Sequence, residues 1–235
     1  MLSGLIDRLR QWKQRRPHGM TLPDGNRITY RDVDLCIIDE IYKGKAYGNP
    51  EDIKEGDVVI DCGGHIGAFT LWAAKRAGPS GRVLTFEPAP DNLRLLRANV
   101  KNNALPQAKV FDCALADRNE RAYLYLAPAH GNPAANTLQG GAQQKTVQIQ
   151  VRRLDDIVLE EKLARIDLLK IDVEGAELKL LAGAQRTLAL TLRLVMELHP
   201  EKIDPYAALA VLETANFKVD VVSKKPHSWL VAARK

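Results

Sequence analysis

Apolar positions along the chain recur with two periods, and the switches between them mark out the elements. From residue 58 onward, strand-like apolar runs alternate with segments whose apolar residues lie three and four apart. The first run, Val58-Val59-Ile60-Asp61, enters Cys62-Gly63-Gly64-His65-Ile66-Gly67 and opens into a helical pattern over 66–77. That pattern stops before Gly78-Pro79-Ser80-Gly81. A strand over 82–86 ends in Glu87-Pro88, and a helix from about Asp91 runs through 99–102. Strand 109–113 follows. Two period-two segments, 122–126 and 146–151, pair as an inserted hairpin of about 121–152 across a long loop rich in Gly, Ala, Asn and Gln. Then come a mainly apolar strand over 166–172, a helix from 176 to about 190, a strand over 192–199 and a helix over 205–215. Strands 218–222 and 229–233 have only a turn between them, so they pair antiparallel, because a parallel pair needs a long crossover. Successive βα units predict a mostly parallel sheet with helices on both faces, an α/β architecture.

Residues 1–50 read as a cap ahead of a single domain over 51–235. Leu2, Leu5, Ile6, Leu9 and Trp12 share one helical face, with Arg8, Arg10, Lys13, Arg15 and Arg16 around it. The favoured reading is a helix that packs on its own domain or on a second copy of the chain, as a homodimer contact. A membrane-surface helix is the alternative. Pro23-Asp24-Gly25-Asn26 is a turn between short strands at 20–22 and 27–30. Residues 35–42 fit a strand or a short helix, and periodicity does not decide between them. Tyr47 falls near the mouth of whatever site the domain carries.

The 235 residues suffice for one sizeable core, and the formal charge of +5 is scattered apart from the N-terminal cluster. Aromatics are only 6% and do not interleave with a dense basic patch, so no nucleic acid is expected. Cys36, Cys62 and Cys113 are odd in number and far apart, which argues against disulfides and cysteine-rich zinc sites. No apolar run approaches the roughly 18 residues of a membrane span, and no signal-peptide core is visible, so the expected compartment is the cytoplasm.

The glycine loop is the candidate cofactor site. Its pattern is Asp61-x-Gly63-Gly64-x-x-Gly67. A dinucleotide would set a pyrophosphate against the Asp61 charge, whereas the ammonium and sulfonium of S-adenosylmethionine suit it. Glu87, one strand later, suits the ribose hydroxyls of either. The methyl donor is favoured, with a dinucleotide-binding Rossmann protein as the alternative.

These residues resemble the FkbM-type S-adenosylmethionine-dependent methyltransferases. The resemblance runs through Val59 to Gly67, Phe86-Glu87-Pro88, Ala114-Leu115-Ala116-Asp117, the block Ile166-Asp167-Leu168-Leu169-Lys170-Ile171-Asp172-Val173-Glu174-Gly175-Ala176-Glu177, and Glu197-Leu198-His199. It departs at Gly63-Gly64-His65, where the family commonly has Gly-Ala-Asn. The resemblance implies a Rossmann-like class I methyltransferase fold, a mostly parallel seven-stranded sheet with a C-terminal antiparallel hairpin, and methyl transfer to a hydroxyl of a sugar or natural-product small molecule. N- or C-methylation of a peptide or RNA is the alternative on the same fold. Within that frame Asp61, Gly63 and Gly67 hold the methionine end of the cofactor, with the backbone of His65 serving the loop. Glu87 binds the ribose, Pro88 fixes the turn after it, and Asp112 lies near the adenine amino group. Asp172 borders the cofactor. Asp172 and Glu174 orient the acceptor hydroxyl or take its proton, while Glu177 and Lys179 read as surface or capping residues. His199 is a candidate general base, since an unperturbed histidine titrates near neutrality. A divalent metal on Asp172, Glu197 and His199, as in catechol-type enzymes, is a secondary option and is not expected.

Overall fold

The computed structural model describes residues 17–43, 47, 52–127, 136–138 and 145–235. The amphipathic segment at 2–12, with its homodimer contact, and most of the 128–144 loop lie outside the described residues.

Strands β1 (His18–Thr21) and β2 (Arg27–Tyr30) pair antiparallel across the Pro23–Asn26 turn. Residues 35–42 form helix α1 (Leu35–Tyr42). Ile38 and Ile41, three apart, are the residues it buries, and helical spacing puts both on the face turned to the domain. They join Leu22, Ile28 and Tyr47 in one apolar cluster with Val59, Ile66 and Leu71. The lead-in therefore shares a core with the domain.

Strand β3 (Val58–Cys62), helix α2 (Ala68–Ala77), strand β4 (Arg82–Phe86), helix α3 (Pro90–Asn102) and strand β5 (Ala108–Phe111) build one half of the main sheet. A smaller sheet follows, with β8 (Thr146–Arg152) between β6 (Ala114–Leu115) and β7 (Glu120–Tyr125). Helix α4 (Leu154–Glu160), strand β9 (Leu168–Ile171), helices α5 (Glu177–Ala182) and α6 (Gln185–Leu190), and strand β10 (Arg193–Leu198) complete the parallel part. Helix α7 (Pro205–Thr214), β11 (Lys218–Lys224) and β12 (Trp229–Arg234) close the chain. The main sheet runs β11-β12-β10-β9-β3-β4-β5, with β12 antiparallel to both neighbours and the rest parallel. The order reverses at β3, whose neighbours are β4 and β9. Such a switch point opens a crevice beyond the carboxyl ends of the strands.

The structure differs from the sequence reading in four places. The helix expected over 176–190 is two, broken at Gly183, where a Cβ would stand 2.1 Å from the Ala116 carbonyl oxygen. Asp155 restarts it, accepting hydrogen bonds from Arg186 N at 3.0 Å and Thr187 N at 2.7 Å. Helix α4 was not expected at all. The helix after the glycine loop starts at Ala68 rather than 66, because Gly67 is left-handed (φ 94°) and its N–H bonds back to Gly64 O. The strand expected over 109–113 ends at Phe111, and Ala114–Leu115 leaves for the smaller sheet. Among the described residues no helix is long and apolar enough to cross a membrane.

Candidate functional site

The turn after β3 is a backbone cradle. Gly63 (φ 88°), His65 (φ 51°) and Gly67 (φ 94°) are all left-handed. A Cβ on Gly63 would meet Asp172 O at 1.8 Å, and one on Gly64 would meet Thr85 Oγ1 at 2.2 Å. Only glycine lets the loop lie this close to its neighbours. The N–H groups of Gly63 and Gly64 donate to Phe86 O at 3.1 and 2.9 Å, tying the loop to the end of β4.

Asp61 lies beneath this cradle and does not line the cavity above it. Its carboxylate is fully buried and accepts from the Thr70 hydroxyl at 2.7 Å. Its other oxygen is 3.1 Å from Lys170 Nζ, which also donates to Gly63 O at 2.7 Å. Asp61 thus holds the loop through a buried ion pair, and it is not among the residues that line the cavity. The reason is a cation that spacing does not reveal. Burial disfavours the Lys170 charge, but Asp61 and Asp172 outweigh it and raise the ammonium pKa.

The cavity opens at the switch point, between the cradle and the end of β9. Toward the end of β4 it is apolar, with Phe86, Pro88, Cys113, Leu115 and Leu124, while Leu138 also lines it beside Thr137, whose hydroxyl donates to Glu174 O at 2.9 Å. Glu87 stands beside it, buried, accepting from His65 N at 2.8 Å and Ala89 N at 2.9 Å. Burial pushes its carboxyl up to about 7, against the pull of those hydrogen bonds. Asp112 is not part of this wall. Its half-exposed carboxylate faces Arg97 at 3.4 Å on the surface, because β5 ends at Phe111 and Asp112 falls in the loop beyond it. The cradle, the Glu87 acceptors and the apolar slot fit a nucleoside carrying an amino-acid tail.

The other end of the cavity is acidic. Asp172 and Glu174 line it, just past β9. Glu174 is left-handed (φ 52°), a strained geometry for a residue with a side chain. Its Oε2 accepts from Lys202 Nζ at 2.7 Å and lies 3.4 Å from His199 Nε2. Burial raises its pKa above the usual range. Behind it, His199 Nδ1 is 2.7 Å from Glu177 Oε1, which also accepts from Gly175 N at 2.9 Å. Glu177 is therefore fully buried, not a surface residue. Burial alone would lower the His199 pKa. The bond to Glu177 and the charges of Glu174, Glu177 and Asp172 overcome it and hold it at about 9. A resting His199 is protonated at neutral pH, which removes the premise on which it was read as the base.

Glu197 is joined to Asp172 through Tyr47 rather than to His199. Tyr47 Oη donates to Asp172 Oδ2 at 3.0 Å and to Glu197 Oε2 at 3.1 Å, and Ser228 Oγ donates to Glu197 Oε1. The residues whose ligand atoms gather, within 4.8 Å of one another, are Asp172, Glu174 and His199, not the trio with Glu197. Lys202 on Glu174, and Lys170 Nζ at 3.8 Å from Asp172, already place positive charge there.

Sequence reasoning gave Lys170 no role of its own, although a lysine inside the apolar run Leu168-Leu169-Lys170-Ile171 is itself a signal for a buried partner. It also gave none to Arg31, Asp34 and Asn92. Arg31 donates to Asp34 Oδ1 and Oδ2, both at 2.9 Å, and to Asn92 Oδ1 at 2.7 Å, linking the lead-in to the first turn of α3.

Residues 61–219 match the family model of the methyltransferase FkbM domain. The chain is 31% identical over 197 residues to 31-O-demethyl-FK506 methyltransferase FkbM of Streptomyces tacrolimicus, covering 71% of this chain and 75% of that one. It is 31% identical over 220 residues to AMB antimetabolite synthetase AmbE of Pseudomonas aeruginosa, covering 77% of this chain but only 10% of that much longer protein. In fold it is similar to the crystal structure of methyltransferase FkbM from Methylobacillus flagellatus KT, with a TM-score of 0.53 and 20% identity, covering 77% of this chain and 44% of that one. With the class I sheet order and the glycine cradle already in place, the chain belongs to the FkbM methyltransferase family.

Proposed function

We propose that the protein transfers a methyl group from S-adenosylmethionine to a hydroxyl oxygen of a small molecule, a sugar or a natural-product scaffold. The observation that carries this reading is the pairing of a glycine cradle and Glu87 at one end of the cavity with two carboxylates, Asp172 and Glu174, at the other. The likeness to the 31-O-demethyl-FK506 methyltransferase of Streptomyces tacrolimicus supports oxygen as the acceptor atom. When bound, S-adenosylmethionine supplies an electrophilic methyl carbon on a sulfonium.

The chain's own residues do the rest. The cradle and Glu87 hold the nucleoside and the amino-acid tail, and Leu124 and Leu138 keep water from the apolar end. Asp172 accepts the hydrogen bond of the acceptor hydroxyl and aims its oxygen. Glu174, whose raised pKa makes it a better base than a free carboxylate, takes the proton as the oxygen is alkylated. His199 is a positioning residue, its imidazolium holding Glu174 while Glu177 fixes the ring.

The test is transfer of a labelled methyl group from S-adenosylmethionine to a panel of glycosides and polyketide alcohols, run as a pH profile. Turnover is expected to rise as Glu174 ionises above the usual carboxylate range, stay level, and fall above pH of about 9 as His199 loses its proton. A profile that climbs all the way to pH 9 would make His199 the base. Label found on nitrogen or carbon alone would sink the hydroxyl acceptor.

A further inference from the structure

The inserted hairpin so far only walls the cavity. Residues 136–138 lie between its strands β7 and β8 and fold back on β7, where Tyr125 N donates to Thr137 O at 2.9 Å and Thr137 N to Tyr125 O at 3.1 Å. Ala127 N donates to Asn136 Oδ1 at 2.8 Å, which fixes the residue before. Held in this way, Thr137 is buried, with its hydroxyl 2.9 Å from Glu174 O. A carbonyl only accepts, so the hydroxyl is the donor. Glu174 has φ 52°, and a residue with a side chain stays left-handed only where its surroundings hold it. Three holds are visible. Thr137 takes the carbonyl from the hairpin side. Lys202 Nζ donates to the same carbonyl at 3.3 Å and to Glu174 Oε2 at 2.7 Å. Glu177 Oε1 accepts from the following N–H, that of Gly175, at 2.9 Å. Lys202 and Glu177 also serve the side chains of Glu174 and His199, so changing either alters the charges of the site. Thr137 is uncharged and can be changed without touching them.

We propose that Thr137 is a positioning residue for Glu174: its hydroxyl fixes the left-handed turn there, and with it the place of the Glu174 carboxylate against His199. The importance of that place for turnover rests on the reading of Glu174 as the base. A backbone relaxed at 174 turns the carboxylate away from His199 Nε2, which now lies 3.4 Å from Oε2. Leu138, the next residue after Thr137, lines the cavity, so a single step of chain sets the carboxylate and walls the space in front of it. The inserted hairpin thereby reaches the acidic end through one hydroxyl. A chain without that hydroxyl keeps its glycine cradle and loses the setting of Glu174.

Thr137→Val in the full chain keeps the size and β-branching of the side chain and removes the donor. The His199 imidazole, held at about 9 in part by the Glu174 charge, should titrate about one unit lower by NMR, while Glu177 and Asp172, the other charges acting on it, are unchanged. Labelled methyl transfer to the panel of glycosides and polyketide alcohols should slow about tenfold in kcat, and S-adenosylhomocysteine affinity by calorimetry should stay within about twofold. Thr137→Ser, which keeps the hydroxyl, should restore both the titration and most of the rate. In the wild-type chain the Thr137 hydroxyl proton should be protected from exchange with water in proton NMR, a readout that needs no variant to fold. An unmoved His199 titration in a folded Thr137→Val, or a freely exchanging Thr137 hydroxyl, would overturn the assignment. A lower His199 pKa with full turnover would support the hold on Glu174 and remove Glu174 as the base. A wild-type chain inert toward every alcohol would overturn the hydroxyl acceptor, and the His199 titration would still decide Thr137.

Discussion

The two ends of the cavity are built from different materials. The glycine cradle is mostly backbone, gathered from a short stretch between Asp61 and Glu87, and its shape depends on the absence of side chains. Gly63 and Gly64 work because they have no Cβ. The acidic end, which the proposed function gives to the acceptor, is side chains from distant parts of the chain, namely Tyr47, Asp172, Glu174, Glu177, Glu197, His199, Lys202 and Ser228. Its properties come from charges set against one another. A backbone cradle tolerates little change in shape and is indifferent to most side chains around it. A charge network keeps its shape and changes its chemistry when one member changes.

The sharpest way to break that contrast is Gly63→Ala. The new methyl group would have to occupy space 1.8 Å from the Asp172 carbonyl oxygen, at a backbone angle of φ +88° that alanine avoids. The clash is with backbone, so it cannot be relieved by a rotamer. Binding of S-adenosylhomocysteine, read by calorimetry, should fall by about a hundredfold or more, since a near-total misfit of the loop costs several kcal/mol. Near-normal affinity would mean the cradle is softer than its contacts imply, and the contrast between the two ends would lose its basis.

Lys170→Met asks whether the ends are separate at all. Lys170 is 3% exposed and lies 3.1 Å from Asp61 under the cofactor loop and 3.8 Å from Asp172 at the acceptor end. Removing it strands the buried Asp61 carboxylate, a change that costs about 3–5 kcal/mol when a buried pair loses one member. Urea unfolding should show that loss, and Asp61→Asn on top of it should restore part, because the unpaired charge is then gone. A loss below about 1 kcal/mol would mean water already reaches Asp61, and the two ends would be independent.

The same contrast explains what could be read in the sequence. The glycine loop, Glu87 and the alternation of strand and helix were legible because each is a local pattern, set by residues a few positions apart. Helix α4 carried the right signal in Leu154, Ile157 and Val158, but it is only seven residues long and directly follows a strand with no glycine or proline between them. The break at Gly183 was hidden because its cause, the Ala116 carbonyl, comes from another part of the chain. Asp172, Glu174 and His199 do come together, yet their partners were not foreseen. Glu177 reads as one more acid at a helix start until the fold brings His199 to it from 22 residues away. That meeting moves the His199 pKa from near neutrality to about 9, and no spacing rule contains it.

Tyr47→Phe is the smallest and most selective test. The Tyr47 hydroxyl has one proton and two carboxylate acceptors, Asp172 at 3.0 Å and Glu197 at 3.1 Å. Burial, followed by those two charges, keeps its pKa well above the ordinary phenol value, so the proton stays on. The ring itself is packed edge-on against Phe69, with centroids 5.7 Å apart, and phenylalanine preserves that contact. What is lost is a single shared hydrogen bond that keeps Asp172 turned toward Glu197. A freed Asp172 still has Lys170 nearby, so the fold should lose less than about 1 kcal/mol. Turnover should drop about three- to tenfold, the size of one positioning hydrogen bond, with S-adenosylhomocysteine affinity unchanged. An equal loss in affinity would place Tyr47 at the cofactor end after all. Unchanged turnover would reduce it to packing and leave Asp172, Glu174 and His199 as the whole of the acceptor machinery.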